Sequence, residues 1–313
     1  MTILLHASSD NAPWLAALKR QAPPRSVVTA SDAEYFGAVR YAMVWKPPAG
    51  LLARLPNLEV IVNLGAGVDA ILADATVPKQ IPIIRAVDPN ITARMTEWVV
   101  LQTLYHFRQM PAYLAQQRNR LWRELPQTDA SSATVGLMGL GVLGQAAAKV
   151  LRALGFKVIG WSRTAKDGLD FPAYSGQGGL ALFLSQTDIL VCLLPLTPET
   201  TGILNGDLLR RLKRDGPMGG PVLINAGRGG QQVEPDILRA LDDGALVGVS
   251  LDVFATEPLA SDSPLWLHPK LTITPHIAAD SDPEAMTAFV LEQLARHEAG
   301  LPMDNVVDRA AGY

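Results

Sequence analysis

From Met1 to Arg94 short apolar runs alternate with longer mixed segments, and TILLHA, YAMVWK, LEVIVNLG and IPIIRA read as buried strands. Strands spaced by helical or loop stretches in this rhythm predict a parallel sheet with helical crossovers. From Thr92 to Arg108, TARMTEWVVLQTLYHFR keeps an apolar stripe at helical spacing, which predicts a helix bridging two domains. A polar stretch follows as far as Ala133. A second series then opens with ATVGLMGLG and runs through FKVIGWS, DILVCLLP, GPVLINAG, ALVGVSLDVF and KLTITPHIA, enough strands for a complete doubly wound sheet. The last predicted helix is DPEAMTAFVLEQLARHEAG, where Asp282 and Pro283 supply a cap and a first turn; it is expected to return to the first domain. SGQGG and RDGPMGGP read as loops.

At 313 residues the chain exceeds one comfortable hydrophobic core, so two domains, or one split by an insertion, are expected. Apolar residues make up 48% and charged residues 18%, the balance of a globular protein. With 27 basic against 30 acidic residues there is no overall footprint for nucleic acid or an anionic membrane, which leaves small anions as the expected partners. Met1 to Asp10 lacks a basic segment followed by a long apolar run, and no apolar stretch approaches a membrane span, so a cytoplasmic protein is expected. Cys192 is the only cysteine, which rules out an internal disulfide and a metal–thiolate cluster; its run of apolar neighbours predicts a buried strand residue, and no metal is expected.

Gly139, Gly141 and Gly144 directly follow the strand TVGLM and open a helix through Val142 and Leu143. In that context the turn can be tight, a pyrophosphate can approach the backbone, and the helix N-terminus offers N–H groups and a positive dipole end. A plain strand–helix turn is the alternative. In NAD-binding chains the second strand of such a unit ends in an acid that holds the ribose and repels a 2′-phosphate. Here GWSRT puts Ser162, Arg163 and Thr164 there, with Lys166 close behind. A guanidinium holds phosphate bidentately and hydroxyls donate to it, so the expected cofactor is NADP(H), with NAD(H) bound more weakly. A solvated surface arginine is the alternative.

INAGRGG, SLDVFATEP and TPHIA fall where the series predicts carboxyl ends of strands, the ligand-binding edge of open α/β sheets. Singly, Arg228 could be a surface residue, Glu257 a turn residue before Pro258, and His276 a core histidine. Together they supply what reduction of a 2-oxo acid needs: a cation beside the oxygen on which negative charge grows, and a proton donor. Arg228 suits the first role and His276 the second. Glu257 is the candidate carboxylate on the other imidazole nitrogen, where it favours the imidazolium.

With GLGVLG, NAGRGG, LDVFATEPL and TPHIAA in this order, the chain resembles the D-isomer-specific 2-hydroxyacid dehydrogenase family over nearly its whole length. VWKPP, NLGAGVD, WSRT, SPLWLHP and the terminal DRAAGY are similar to the bacterial NADPH-dependent glyoxylate and hydroxypyruvate reductases. The resemblance implies a Rossmann-type doubly wound sheet over residues 99–284, inserted into a smaller flavodoxin-like α/β substrate domain made of residues 1–98 and 285–313, with a cleft that closes on the substrate. It implies Arg228 as binder of substrate oxygens, His276 as acid/base and Glu257 as its partner. Leu194, Pro195, Thr200, Ala226 and Gly227 would line the cofactor cleft, and Asp252 would contact the nicotinamide amide.

In NLGAGVD, Gly65 and Gly67 would let backbone N–H groups converge as an anion nest for the substrate carboxylate, so Leu64, Gly65, Ala66 and Gly67 are candidate contacts. The alternative is another strand–helix turn with Asp69 as the cap. Trp45 is either a pocket wall or core, and Trp98, Trp122 and Trp266 are left without a role. The family's usual Asn-x-Ala-Arg-Gly stands here as Asn225, Ala226, Gly227, Arg228 and Gly229, followed by Gly230, and the extra glycines are expected to loosen the turn. The expected activity is NADPH-dependent reduction of glyoxylate or hydroxypyruvate to glycolate or D-glycerate, by a homodimer. Reduction of bulkier 2-oxo acids such as phenylpyruvate, or NADP(H) sensing by a co-regulator without turnover, are the rivals.

Overall fold

The computed structural model describes residues 2–7, 10–22, 25–86, 89–310 and 312. The chain divides into two compact units, Met1–Ile91 with Asp280–Tyr313, and Thr92–Ala279. The divisions fall at 91/92 and 279/280, where the sequence suggested 98 and 285.

The first unit contains β1 (Thr2–His6), α1 (Ala12–Gln21), β2 (Ser26–Thr29), β3 (Val39–Val44), β4 (Val60–Asn63), α2 (Asp69–Ala73) and β5 (Ile83–Arg85). Its strands form one parallel sheet in the order β2-β1-β3-β4-β5, the flavodoxin order. β2 is the strand the apolar pattern did not predict. Its four residues, SVVT, lie at the sheet edge and bury only one side chain, so no apolar run marks it. Ile3, Leu4, Leu5, Tyr41, Met43 and Ile61 are fully buried, as expected of strands covered on both faces.

The second unit is built from most of α3 (Pro89–Phe107), α4 (Met110–Arg118), β6 (Thr134–Met138), α5 (Val142–Ala153), β7 (Lys157–Ser162), β8 (Ala173–Ser175), α6 (Gly176–Ser185), β9 (Ile189–Cys192), α7 (Gly206–Arg210), β10 (Val222–Asn225), α8 (Glu234–Asp242), β11 (Gly248–Leu251) and β12 (Leu271–Ile273). Its seven strands are all parallel, in the order β12-β11-β10-β9-β6-β7-β8. The order reverses at β6, with β7 and β8 on one side and β9 to β12 on the other, which is the doubly wound arrangement. β8 is again a short edge strand that the pattern missed.

SGQGG is not a loop but the N-terminal turn of α6. Of its glycines, Gly179 answers to close packing: a Cβ there would lie 3.1 Å from the Cβ of Tyr174. Leu180, Phe183 and Leu184 bury the helix against the sheet. Cys192 ends β9 fully buried, and burial pushes its thiol up to about 12.

α9 (Pro283–Glu298) belongs to the first unit. The Asp282 carboxylate caps it by accepting the Ala285 N–H at 2.9 Å. It packs on α1, with Gln21 donating to Glu284 and Arg25 in a two-point pair with Glu298. No helix among the described residues is long and apolar enough to cross a membrane.

Candidate active site

All strands of the second unit run parallel, so their carboxyl ends share one edge; Met138, Trp161, Cys192, Asn225, Leu251 and Ile273 mark it in register. At the reversal of strand order, Gly139 leaves β6 with φ +106°, a conformation that favours glycine. A Cβ on Gly144 would lie 2.0 Å from the Gly139 carbonyl oxygen, so only glycine lets α5 sit this close to the turn. A Cβ on Gly141 would meet nothing within 4 Å, and Gly141, as N-cap, brings no side-chain bond to the first turn of α5. Open space in front of helix N–H groups that no cap side chain covers fits a dinucleotide pyrophosphate. Val142 is exposed and Leu143 half-buried in the same turn.

After β7, Arg163, Thr164 and Lys166 are exposed, whereas Ser162 is buried and its hydroxyl donates to the Thr164 carbonyl at 2.7 Å. The Ser162 hydroxyl thus closes the turn that presents Arg163. Thr200 is likewise a loop brace. Its Oγ1 donates to the Pro195 carbonyl at 2.7 Å and accepts the Thr197 N–H at 2.8 Å, which fixes the turn after β9 that carries Leu194 and Pro195.

The turns after β11 and β12 bring Glu257 and His276 together, with Nδ1 of His276 at 2.8 and 3.0 Å from the two Glu257 carboxylate oxygens. Both side chains are part-buried. Nδ1 is thus the nitrogen that faces the carboxylate. His276 has φ +56°, a left-handed backbone that persists in a non-glycine residue only where its surroundings enforce it. The enforcing group is Asp252, 1% exposed at the end of β11. Its Oδ1 accepts the Thr274 hydroxyl at 2.6 Å and the Ile277 N–H at 2.9 Å, its Oδ2 accepts the Ala278 N–H at 3.0 Å, and its carbonyl accepts the His276 N–H at 2.8 Å. Trp98 joins the same network, donating from Nε1 to Thr274 Oγ1 at 3.1 Å. Asp252 thus holds the histidine turn.

Arg228 follows β10 with extended backbone, φ −142° and ψ 147°, and Nη1 donates to the Gly227 carbonyl at 2.8 Å. Ala226 and Gly227 are buried beside it. Two residues that the sequence reading passed over organise this turn. Gln231 accepts the Arg228 N–H at 2.9 Å and donates to the Leu194 and Pro195 carbonyls at 2.8 and 3.0 Å. Gln232 accepts from Asn225 Nδ2 and donates to the Val253 carbonyl, both at 2.9 Å. Their one signal in the sequence is a pair of adjacent amides directly behind a glycine turn. The expected loosening by Gly227 and Gly230 is corrected, because these bonds pin the turn.

In the first unit the turn Leu64–Gly67 follows β4. None of the four residues has positive φ, so the alternating left-handed backbone of an anion nest is not what the glycines provide. Gly65 answers instead to Trp45, whose ring would lie 2.2 Å from a Cβ there. Buried Asn63 donates to the Gly65 and Gly67 carbonyls at 2.7 and 2.9 Å. Asp69 is the first residue of α2, capped by Val68, and not its cap. Trp122 is 97% exposed, and Trp266 is half-exposed with Nε1 donating to the Ala260 carbonyl at 2.9 Å.

The profile described as D-isomer specific 2-hydroxyacid dehydrogenase, NAD binding domain, matches residues 100–278. An NADPH-dependent glyoxylate/hydroxypyruvate reductase from Sinorhizobium meliloti, solved with NADP and sulfate, is 47% identical, with a TM-score of 0.94 over 100% of this chain and 99% of that one. A protein described as a probable 2-hydroxyacid dehydrogenase from Rhizobium etli CFN 42, solved with NADP, HEPES and L(+)-tartaric acid, is also 47% identical, with a TM-score of 0.92 over 100% and 99%. A D-isomer specific 2-hydroxyacid dehydrogenase from Xanthobacter autotrophicus Py2, solved with NADPH and MES, is 38% identical with a TM-score of 0.92 over the same shares.

Proposed function

The chain belongs to the D-isomer-specific 2-hydroxyacid dehydrogenase family, and from that premise we propose that it reduces small 2-oxo acids, glyoxylate and hydroxypyruvate, to glycolate and D-glycerate with NADPH. The observation that carries the reading is the two-point contact of Glu257 with His276 Nδ1 on the edge that also bears Arg228. NADPH, when bound, supplies the hydride that reaches the carbonyl carbon. The Arg228 guanidinium stabilises the negative charge that grows on the carbonyl oxygen, and His276 delivers a proton to that oxygen from Nε2. Glu257 keeps the ring turned so that Nε2 faces the substrate. The proton returns to His276 from solvent, so each turnover consumes one NADPH and one proton and releases one 2-hydroxy acid.

The NADPH preference rests on Arg163, exposed at the end of β7, as partner of the 2′-phosphate, with Thr164 and Lys166 as further donors. In the first unit, Leu64–Gly67 and Trp45 are proposed as its substrate contacts. A second copy of the chain is proposed to cover the apolar residues that α3, α4 and the following segment expose: Leu101, Met110, Leu114, Leu121 and Trp122. Light scattering of the parent and of Trp122→Ser checks the homodimer, which a monomeric parent refutes.

The decisive experiment follows NADPH and NADH oxidation by absorbance with glyoxylate, hydroxypyruvate, pyruvate and phenylpyruvate. His276→Ala should lower kcat by about 100- to 10,000-fold. A parental rate in that variant refutes the mechanism, a preference for phenylpyruvate refutes the assignment to small substrates, and tight NADPH binding without oxidation of any 2-oxo acid favours a sensor.

A further inference from the structure

We propose that Gln231 is a positioning residue for Arg228, fixing the guanidinium's anchor to the turn after β9; this deepens the reading of Arg228 as the substrate-binding cation and rests on it. Gln231 is 0% exposed in the short turn Gly229–Gln231. A buried primary amide is costly unless its donors and acceptor are used, and here they are. Oε1 accepts the Arg228 N–H at 2.9 Å and lies 3.5 Å from Cys192 Sγ; Nε2 donates to the Leu194 and Pro195 carbonyls. One side chain therefore joins the carboxyl end of β9 to the backbone atom that sets where the Arg228 side chain begins.

Gly227 provides a second, independent observation. A Cβ there would stand 2.4 Å from Gln231 Oε1 and 2.9 Å from the Leu194 carbonyl oxygen. The first of these atoms can swing away, but only by releasing the Arg228 N–H; the second is backbone and cannot. Glycine at 227 is thus the space that the amide occupies. On the far side, a Cβ on Gly229 would lie 1.9 Å from the Phe254 carbonyl group, so the segment after Arg228 is pressed against the β11 turn, and Gln232 ties β10 to β11 through Asn225 and Val253. Arg228 has extended backbone outside any strand, and these contacts restrain it from both neighbouring turns. Small displacements of a substrate-holding group are expensive in rate, which makes such restraint functional as well as structural.

The test measures glyoxylate KM and kcat, with thermal melting of each variant as control. Gln231→Met keeps the bulk and removes the amide, and the KM for glyoxylate should rise about tenfold, the size expected for one or two lost hydrogen bonds. Gly227→Ala should produce at least as large a rise, because its methyl displaces the amide and also crowds the Leu194 carbonyl oxygen, and Gly227→Ala with Gln231→Met should lose less than the two single losses combined, because one contact is common to both. Gln231→Glu gives a readout that a purely structural role does not move. Its protonated acid still accepts from Arg228 and donates to a carbonyl, whereas its carboxylate faces two carbonyl oxygens, so the ratio of variant to parent KM should grow as pH rises. A KM for Gln231→Met within about twofold of the parent, whatever its melting temperature, or a flat ratio for Gln231→Glu, overturns the proposal. Arg228→Ala separates the two readings. If it keeps parental turnover, the role of Arg228 itself falls; if it abolishes turnover while Gln231→Met keeps the parental KM, only the clamp falls.

Discussion

Replacing Asp252 by asparagine tests how the histidine turn is held. The native carboxylate serves three donors, two on Oδ1 and the Ala278 N–H alone on Oδ2. The least costly placement of the asparagine amide turns its NH2 toward Ala278, leaving two donors face to face in a site 1% exposed. Losing one charge-assisted bond costs about 1.5–3 kcal/mol and leaving a buried donor unpaired about 1–3 kcal/mol, so a loss of about 3–5 kcal/mol is expected. For a unit of this size each kcal/mol moves the melting temperature by about 2–4 °C, which predicts a fall of about 6–20 °C. The same bonds enforce φ +56° at His276, a strain of about 1–3 kcal/mol that the turn would otherwise release. Release swings the imidazole away from Glu257, and kcat for glyoxylate should drop at least about tenfold, the equivalent of about 1.4 kcal/mol. Differential scanning calorimetry and initial rates measure both effects. A variant that melts within about 2 °C of the parent and turns over at the parental rate refutes the argument that Asp252 holds the turn.

Three further changes address other parts of the molecule. Arg163→Ala should raise the KM for NADPH by about one to two orders of magnitude and leave that for NADH nearly unchanged, because each charge-assisted hydrogen bond contributes about 1.5–3 kcal/mol; an unchanged NADPH/NADH ratio is the contrary result. His106, 6% exposed, bonds Ser250 Oγ at 2.8 Å, and burial lowers its pKa to about 4. A folded value below the unfolded 6.5 means that the unfolded chain takes up the proton first as pH falls, so this group costs stability progressively from about pH 6.5 down to about pH 4, by about 3 kcal/mol in all. Urea titrations across that range should show the loss in the parent and a shallower one in His106→Gln, and parallel profiles would contradict it. Gly65→Ala drives a methyl into the Trp45 ring and should destabilise by about 1–3 kcal/mol, with Trp45→Leu restoring most of the loss; a neutral single variant would show that the ring moves freely.

The strands of both sheets were legible because parallel strands buried on both faces read as unbroken apolar runs, and TILLH, VIVN, ILVC and VLIN lie in β1, β4, β9 and β10. β2 and β8 were not, since SVVT buries one side chain and AYS none, which leaves no apolar run to read. Glycine carried two different meanings. At Gly139 and Gly144 it marks a required turn and a close approach, whereas in SGQGG the same residue opens a helix pressed against Tyr174. Periodicity cannot separate these cases, because the difference lies in what would meet the missing Cβ.

Within the site the same division holds for a physical reason. Arg228, Glu257 and His276 could be singled out because each sits just beyond a strand, and parallel topology carries such positions to one edge whatever the details of packing. Residues that aim them depend on which partner lies across the edge. Gln231 works on carbonyls 37 and 36 residues away in sequence, and Trp98 on a hydroxyl 176 residues away. No spacing rule connects such pairs; strand order does. Once β9, β10 and β11 are neighbours, adjacent side chains pointing to opposite sides of one short turn reach one flanking strand each, which is what Gln231 and Gln232 do. Swapping both glutamines for methionine should therefore disturb the two flanks independently, Gln231 through Arg228 and Gln232 through the Val253 carbonyl, whereas Gly227→Ala should couple with Gln231 alone.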